Sequence, residues 1–428
     1  MAEMNEPRST TPRILPRWAV PVTSGVTALL VWGLQMVTLQ TWGASRGASL
    51  RGILMQWDAQ WMTLISRFGY GGFAVGEAGT PGGDPIQWQS VAFFPGYPVL
   101  VRWVAAPLGA VGGLSGADAT WVAALTVSVV AAVVMAWGVS RLALDHLWPA
   151  VTGRPAGDIA LLVTPVVVTV LATAAPMGVV YWMPYSESLY TALTVWAVIM
   201  MLRRRYLAAG LLTLAAGLTR LTAAALILTL CLCAVVELWR WVRSGRRRAG
   251  LGTVVRACAA PVLGAVGTAG YILWADSQAA GVGGYFAAQE EGWHSGFDAG
   301  AATLDWLRQW TVTGMTGYVI SSWVMILVAV LVVASLWPLL GRWLPWQVWL
   351  PAVVTVAITL GSDGVMHSRP RLLLIPVLLL LLPFVVRLTA VLLRRPRWVW
   401  LLVPLVVGWI VLGFWVSGAM LIDFEYAI

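Results

Sequence analysis

Asp58, in the run Gln56-Trp57-Asp58-Ala59-Gln60-Trp61, is the carboxylate whose setting most invites chemistry. Apolar residues at Ile53, Leu54, Trp57, Trp61, Leu64, Ile65 and Phe68 recur at helical spacing, which predicts one interfacial amphipathic helix over 50–67. Asp58 falls beside its membrane-facing stripe, where a charge is costly unless it is paired or used. Pairing with Arg51 or Arg67 is the structural alternative. A second carboxylate, Glu187, opens an apolar run in Met183-Pro184-Tyr185-Ser186-Glu187-Ser188. As a first-turn charge with Ser186 as cap it would also serve the helix dipole. Arg220 sits at the turn of a hydrophobic hairpin, and His367-Ser368-Arg369-Pro370-Arg371 follows Gly361-Ser362-Asp363-Gly364 between two apolar segments. Guanidinium groups in such places require an anion, either a protein carboxylate or a lipid phosphate. Tyr285-Phe286-Ala287-Ala288-Gln289-Glu290-Glu291-Gly292-Trp293-His294 predicts a short helix ending at Gly292, with Trp293 and His294 turned toward the membrane. The chain carries no Gly-rich phosphate loop, no His/Cys metal spacing and no GxSxG elbow. Cytoplasmic nucleotide chemistry is therefore not expected, no cofactor is implied, and metal dependence stays open.

The elements that must position these residues are membrane spans. Of 428 residues, 59% are hydrophobic and 11% charged, and the mean hydropathy is +0.81, too apolar for a soluble fold. All 27 basic residues are arginine, and they cluster beside apolar segments, so the net charge of +9 reads as membrane orientation and not as nucleic-acid binding. Cys231, Cys233 and Cys258 lie in apolar runs, without the spacing of a disulfide or zinc site. The first apolar run follows a polar stretch and is long enough to span, unlike a cleavable signal peptide. Spanning windows fall at 18–41, 117–141, 159–180, 188–202, 252–275, 316–337, 345–361, 371–389 and 398–420. The window 206–239 is too long for one span and folds as a hairpin turning at Thr219-Arg220. The segment 91–112, with Pro95, Pro98 and Arg102, is expected to lie in the outer interface. With Arg8, Arg13 and Arg17 inside, these make about 11 crossings in a single domain over 1–428. That domain has a cytoplasmic tail over 1–17, a first outer loop over 42–116 and a second over 276–315. Of 18 acidic residues only Glu3, Glu6, Asp145, Asp158 and Glu237 then fall inside, leaving 13 on the outer side.

The order Trp57-Asp58, Phe68-Gly69-Tyr70, Phe93-Phe94-Pro95-Gly96-Tyr97-Pro98, Tyr185-Ser186-Glu187-Ser188 and Thr219-Arg220 resembles the PIG-V family of mannosyltransferases, which has bacterial members especially in actinobacteria. The likeness continues more loosely through Gly292-Trp293 and His367-Ser368-Arg369. It implies an all-α polytopic fold of the GT-C class in the plasma membrane, with its active site on the extracytoplasmic side. The donor would be polyprenyl-phosphate mannose and the acceptor a lipid, glycolipid or glycan. On that resemblance Asp58 would be the general base, and Glu187 would orient the acceptor or an arginine. Arg220, His367, Arg369 and Arg371 would meet the donor phosphate. Trp57, Gln60, Phe94, Tyr97, Tyr185, Trp293 and His294 would line the substrate. Many GT-C members have two adjacent acidic residues in this loop, whereas here Ala59 follows Asp58. Glu187 or Asp84 would supply a second carboxylate, or none is needed.

Two other readings stay open on the residues alone. The same architecture could transfer another sugar, such as arabinofuranose, because nothing in the sequence reads sugar hydroxyls. A flippase or transporter is the reading from another class, but transporters place polar groups near the midplane, and here the unusual charges collect at the interface.

Overall fold

The computed structural model describes residues 15–16, 18–70, 89–245 and 248–424. Those residues are 81% helical and contain no strand, apart from one isolated bridge between Phe297 and Ser362. Helix is the form that satisfies backbone polar groups locally, as a bilayer requires. In chain order α1 (Ala19–Ser45) leads to α2 (Leu50–Leu54), α3 (Asp58–Phe68) and α4 (Gly96–Ala110). The central bundle follows as α5 (Gly116–Leu142), α6 (Trp148–Thr152), α7 (Asp158–Thr173), α8 (Glu187–Leu202), α9 (Tyr206–Gly217), α10 (Ala224–Arg243) and α11 (Arg248–Gln278). After α12 (Tyr285–Trp293) and α13 (Ala301–Trp310) come α14 (Thr316–Ala334), α15 (Leu336–Leu340), α16 (Trp346–Leu360), α17 (Arg369–Leu372), α18 (Leu374–Leu393) and α19 (Leu402–Gly418).

Seven stretches among the described residues are long and apolar enough to cross a membrane: α1, α5 running on through α6, α10, α11, α14 with α15, α18 and α19. This is a multi-pass membrane protein. Four further apolar helices, α7, α8, α9 and α16, have 16, 16, 12 and 15 residues. At 1.5 Å per residue they reach only about 18–24 Å, short of the roughly 30 Å hydrocarbon core. Alone they are too short to cross it, and further buried backbone continues from one end of the bundle. The window expected over 159–180 shows how. Helix α7 stops at Thr173, and 174–186 continues as irregular backbone with a 3₁₀ turn at Gly178–Tyr181. Met177, Val179, Val180, Tyr181, Trp182, Met183 and Tyr185 are all buried there. Non-helical backbone inside a membrane protein is tolerated where protein surrounds it, and this buried segment seats the first turn of α8.

Charges at the other end of α8 form two ion-pair groups. Arg203 and Arg141 pair with Asp145 at 2.7 and 2.8 Å, while buried Glu237 is held by Arg204, by Arg240 at 3.0 Å and by the Tyr206 hydroxyl at 2.9 Å.

The helix expected over 50–67 is in fact two. Helix α2 ends at Leu54 and α3 starts at Asp58, with Trp57 between them at φ 56° and ψ −121°. That backbone region is costly for a residue with a Cβ. The apolar stripe has the same period on both sides, and no proline or glycine marks Met55-Gln56-Trp57, so the pattern alone could not show the break. Its effect is to move Asp58 from mid-helix to a helix N-terminus, where the dipole favours a negative charge. Helix α4 forms in the segment expected at the interface, with Pro95 as its N-cap residue. Arg102 donates from α4 to the Ser66 carbonyl at 2.8 Å and to that of Arg67 at 3.3 Å, capping the last turn of α3.

Helix α9 carries Arg220 at its exit and packs on α11 through small residues. A Cβ on Gly210 would lie 2.8 Å from the Ala260 carbonyl, and one on Gly267 would collide with the Leu214 carbonyl. Close backbone approach through small residues is how helices associate where no hydrophobic effect separates them from lipid. Gly267→Ala is expected to push α9 off α11 and to destabilise the protein by about 1–3 kcal/mol. A thermal-unfolding midpoint equal to wild type in detergent would refute this packing.

Candidate active site

Four charged side chains from four separate segments converge at the start of α8. Asp58 comes from the first turn of α3, Glu187 from the first turn of α8, Arg220 from the connection between α9 and α10, and Arg371 from α17. Arg371 Nη1 lies 2.7 Å from Asp58 Oδ2, and its Nε lies 3.9 Å from Glu187 Oε1. Arg220 Nη1 is 2.7 Å from the same Glu187 oxygen. The result is an alternating chain, Asp58–Arg371–Glu187–Arg220, that is formally neutral. The simpler partners suggested for Asp58 are engaged elsewhere: Arg51 binds Asp118 at 2.7 Å and Arg67 stacks on Phe68. Ser186 does not cap α8; its hydroxyl accepts from Arg220 at 3.5 Å.

Local structure explains the convergence. The Gly96 amide donates to the Leu218 carbonyl at 2.6 Å, tying the start of α4 to the end of α9 just before Thr219-Arg220. A Cβ at Gly96 would come within 2.8 Å of that carbonyl, so the join requires glycine. Tyr185 serves both ends of the main ion pair. Its hydroxyl donates to the Gln56 carbonyl at 3.1 Å, inside the α2–α3 break, and its ring lies 5.2 Å beneath the Arg371 guanidinium. Gln56 Nε2 donates in turn to the Leu421 carbonyl at 3.3 Å. Tyr185→Phe keeps the ring and loses the hydroxyl bond, and is expected to cost about 1 kcal/mol. Tyr185→Ala should cost more, because it also removes the ring under Arg371. Equal unfolding midpoints for the two variants would contradict this division of roles.

The cluster is buried but not saturated. Glu187 is 4% exposed, whereas Asp58 keeps 20% of its side chain open. Neither oxygen of Glu187, nor Nε or Nη1 of Arg371, completes a hydrogen bond among the described residues; only the ion-pair contacts compensate them. Burial pushes the Asp58 carboxyl above the ordinary carboxylate range; Arg371 opposes this and Glu187 reinforces it. Burial also works against the Arg371 charge, but Asp58 and Glu187 outweigh it and hold that group above its usual value.

The cluster forms part of the wall of a cavity of about 930 Å³. Asp58, Glu187, Arg220, Arg369 and Arg371 line it together with Trp57, Gln60, Phe94 and Trp293. A second cavity, of about 420 Å³, lies beside Arg46, Gln56 and Asp423 and touches none of the four charges. No family model, curated protein or solved structure matches this chain.

Nine of the thirteen residues singled out in the sequence share this cavity, and four do not. The His367 ring stacks on Tyr318 at 5.6 Å, and burial together with nearby Arg371 holds its imidazole below the usual pKa. It faces α14, not the cavity. Tyr97 is fully buried, its hydroxyl 2.8 Å from both the Ala124 carbonyl and Ser128 Oγ, and it packs α4 on α5. Tyr185 stands behind the ion pair, outside the lining. His294 takes the left-handed conformation that caps α12, at φ 49° and ψ 35°, and its side chain is exposed. Helix α12 runs one residue beyond Gly292, which keeps Trp293 on the wall. Arg369 does line the cavity, but its Nη2 donates to the Ser362 and Asp363 carbonyls at 2.5 and 3.0 Å, and burial lowers its pKa to about 10. It braces the 361–364 turn. Asp84 lies outside the described residues. Sequence reasoning missed Trp61 and Gln289 on the wall; the spacing of Trp61, three residues beyond Asp58, was the available signal.

Proposed function

We propose that this chain is a membrane glycosyltransferase of the GT-C type, which moves mannose from polyprenyl-phosphate mannose to an envelope lipid, glycolipid or glycan. In this reading the seven long and four short apolar helices make eleven crossings of the plasma membrane. The N-terminus is cytoplasmic and the cavity opens on the extracytoplasmic side. The observation that carries the reading is the pair of carboxylates bridged by Arg371, with Arg220 alongside, on the wall of a cavity of about 930 Å³.

Each step has a residue suited to it. Asp58 accepts the proton of the acceptor hydroxyl as that oxygen attacks the anomeric carbon. The bond from that carbon to the phosphate oxygen breaks, the electron pair leaves on the phosphate, and the configuration inverts. The donor's phosphodiester leaves as a phosphate monoester with one more negative charge, and Arg371 and Arg220 are the cations on the wall able to meet it. A phosphate oxygen there would add to the contacts that Arg371 and Arg220 already make with Asp58 and Glu187. Glu187 lies between the two guanidinium groups and sets their spacing. A buried proton acceptor whose pKa is raised is also better matched to this task than an ordinary carboxylate.

Purified protein given radiolabelled polyprenyl-phosphate mannose and an envelope lipid extract is expected to move label into a glycolipid or glycan. Arg220→Ala should raise the apparent KM for the donor about ten-fold or more, since a hydrogen bond to a charged group is lost. Absence of transfer from this donor, or an unchanged donor KM in the variant, would count against the assignment.

A further inference from the structure

We propose that Trp61, Phe93 and Trp293 form a subsite that binds a pyranose ring. The purpose given to this subsite rests on the transferase reading, but its binding chemistry is independent of it.

Trp61 and Phe93 pack their inner sides against Leu64 and Ile65, and all three rings are half-buried with their remaining surface on the cavity. Trp61 and Phe93 are stacked, 18° apart with centroids at 5.4 Å, and form one side. Trp293 stands at 75° to Trp61 and 90° to Phe93, with centroids at 6.0 and 5.6 Å, and makes a second. The walls meet in an aromatic corner. Trp61 is one turn beyond Asp58 on α3, which sets their Cβ atoms about 5–6 Å apart.

Two neutral amides stand on the same wall, together with the Glu290 carboxylate one turn before Trp293 on α12. Gln60 and Gln289 border the same cavity, each with a carboxamide that both donates and accepts. Trp293 Nε1 is buried with no partner among the described residues. An acyl chain would leave Trp293 Nε1 and the Gln60 amide without a polar partner, and a phosphate would meet the Glu290 carboxylate and no cation on the three rings. A pyranose matches both features, because it presents a C–H face to an aromatic ring and a rim of hydroxyls to amides. Its source is either the acceptor or the sugar of the donor.

Saturation-transfer difference NMR on the full chain in nanodiscs tests this, with methyl α-D-mannopyranoside as the probe and acyclic mannitol as the control. Ring protons of the pyranoside are expected to receive saturation, and mannitol much less. Trp293→Leu and Trp61→Leu should each weaken pyranoside binding about three- to ten-fold, the worth of one aromatic contact. Trp293 is at the last turn of α12 and touches α3 through the Trp61 ring, so its replacement keeps the ion pairs even if the Trp61 variant folds poorly. Adding polyprenyl-phosphate mannose separates the sources: a persisting signal assigns the corner to the acceptor's sugar, and a competed signal assigns it to the donor's. No saturation transfer to the pyranoside, equal transfer to mannitol, or a signal unchanged in Trp293→Leu would overturn the subsite. Pyranoside binding without any transfer from the lipid donor would instead overturn the transferase reading and leave the subsite standing.

Discussion

Asp58→Asn is expected to lower sugar transfer from polyprenyl-phosphate mannose by about 10²–10⁴-fold, the usual contribution of a positioned general base. The substitution keeps the shape of the side chain and removes only its capacity to accept a proton as a carboxylate. Donor binding through Arg220 and Arg371 should survive, so the loss should fall on kcat. Transfer at the wild-type rate in this variant would eliminate Asp58 as the base. The pH dependence carries the same argument further. Burial raises the Asp58 pKa, with Arg371 opposing and Glu187 adding. A base works deprotonated, so activity should fall as pH drops through this raised value, at a pH above the ordinary aspartate value of about 3.9. Stability should move the other way. A carboxyl whose folded pKa exceeds its unfolded one contributes stability that is fully present below the unfolded value and is lost as pH rises through the folded value. Rate and thermal midpoint measured across the same pH series should therefore diverge on the acid side. Parallel curves would show that another group controls the rate.

Much of this site was legible in the sequence because a membrane protein has few places to put a charge. Asp58, Arg220 and Arg371 stood out as ionisable groups where apolar or basic-inside rules disfavour them. Glu187 stood out only as a first-turn charge that the helix dipole also explains, and all four meet. The apolar windows likewise found the helices, since hydrophobic length is an additive property of the chain. What could not be read was direction. His367 and Arg369 flank the same turn as Arg371, yet one ring turns to Tyr318 and the other side chain braces the turn's carbonyls. Rotation about a short helix decides such things, and no periodicity is defined over four residues. Tyr97 and Tyr185 were misread for a related reason. A tyrosine in an apolar run fits a cavity wall and a buried hydrogen-bonded strut equally well, and only the partner, Ser128 or Gln56, tells them apart. The break at Trp57 is held by contacts from residues 185 and 421, far along the chain, and left no local mark.

Arg371→Ala is expected to be the most destabilising change at the site. Arg371 is 11% exposed and is the link between Asp58 and Glu187, so its removal leaves two carboxylates facing one remaining cation, Arg220. Stranding a buried charge in this way typically costs about 3–5 kcal/mol. Arg371→Lys should rescue little, because a single ammonium cannot reach both carboxylates as the planar guanidinium does. Acid should rescue more. Without Arg371 the Asp58 pKa rises further, so the variant should regain stability as pH falls through that value. The double variant Asp58→Asn/Arg371→Ala then decides the matter. If the two side chains are coupled as the 2.7 Å contact indicates, removing the carboxylate along with the guanidinium leaves less stranded charge, and the double variant loses less than the sum of the singles. Additivity within about 0.5 kcal/mol would mean that the two residues act independently, and the neutral chain of four charges would no longer explain how the site is held together.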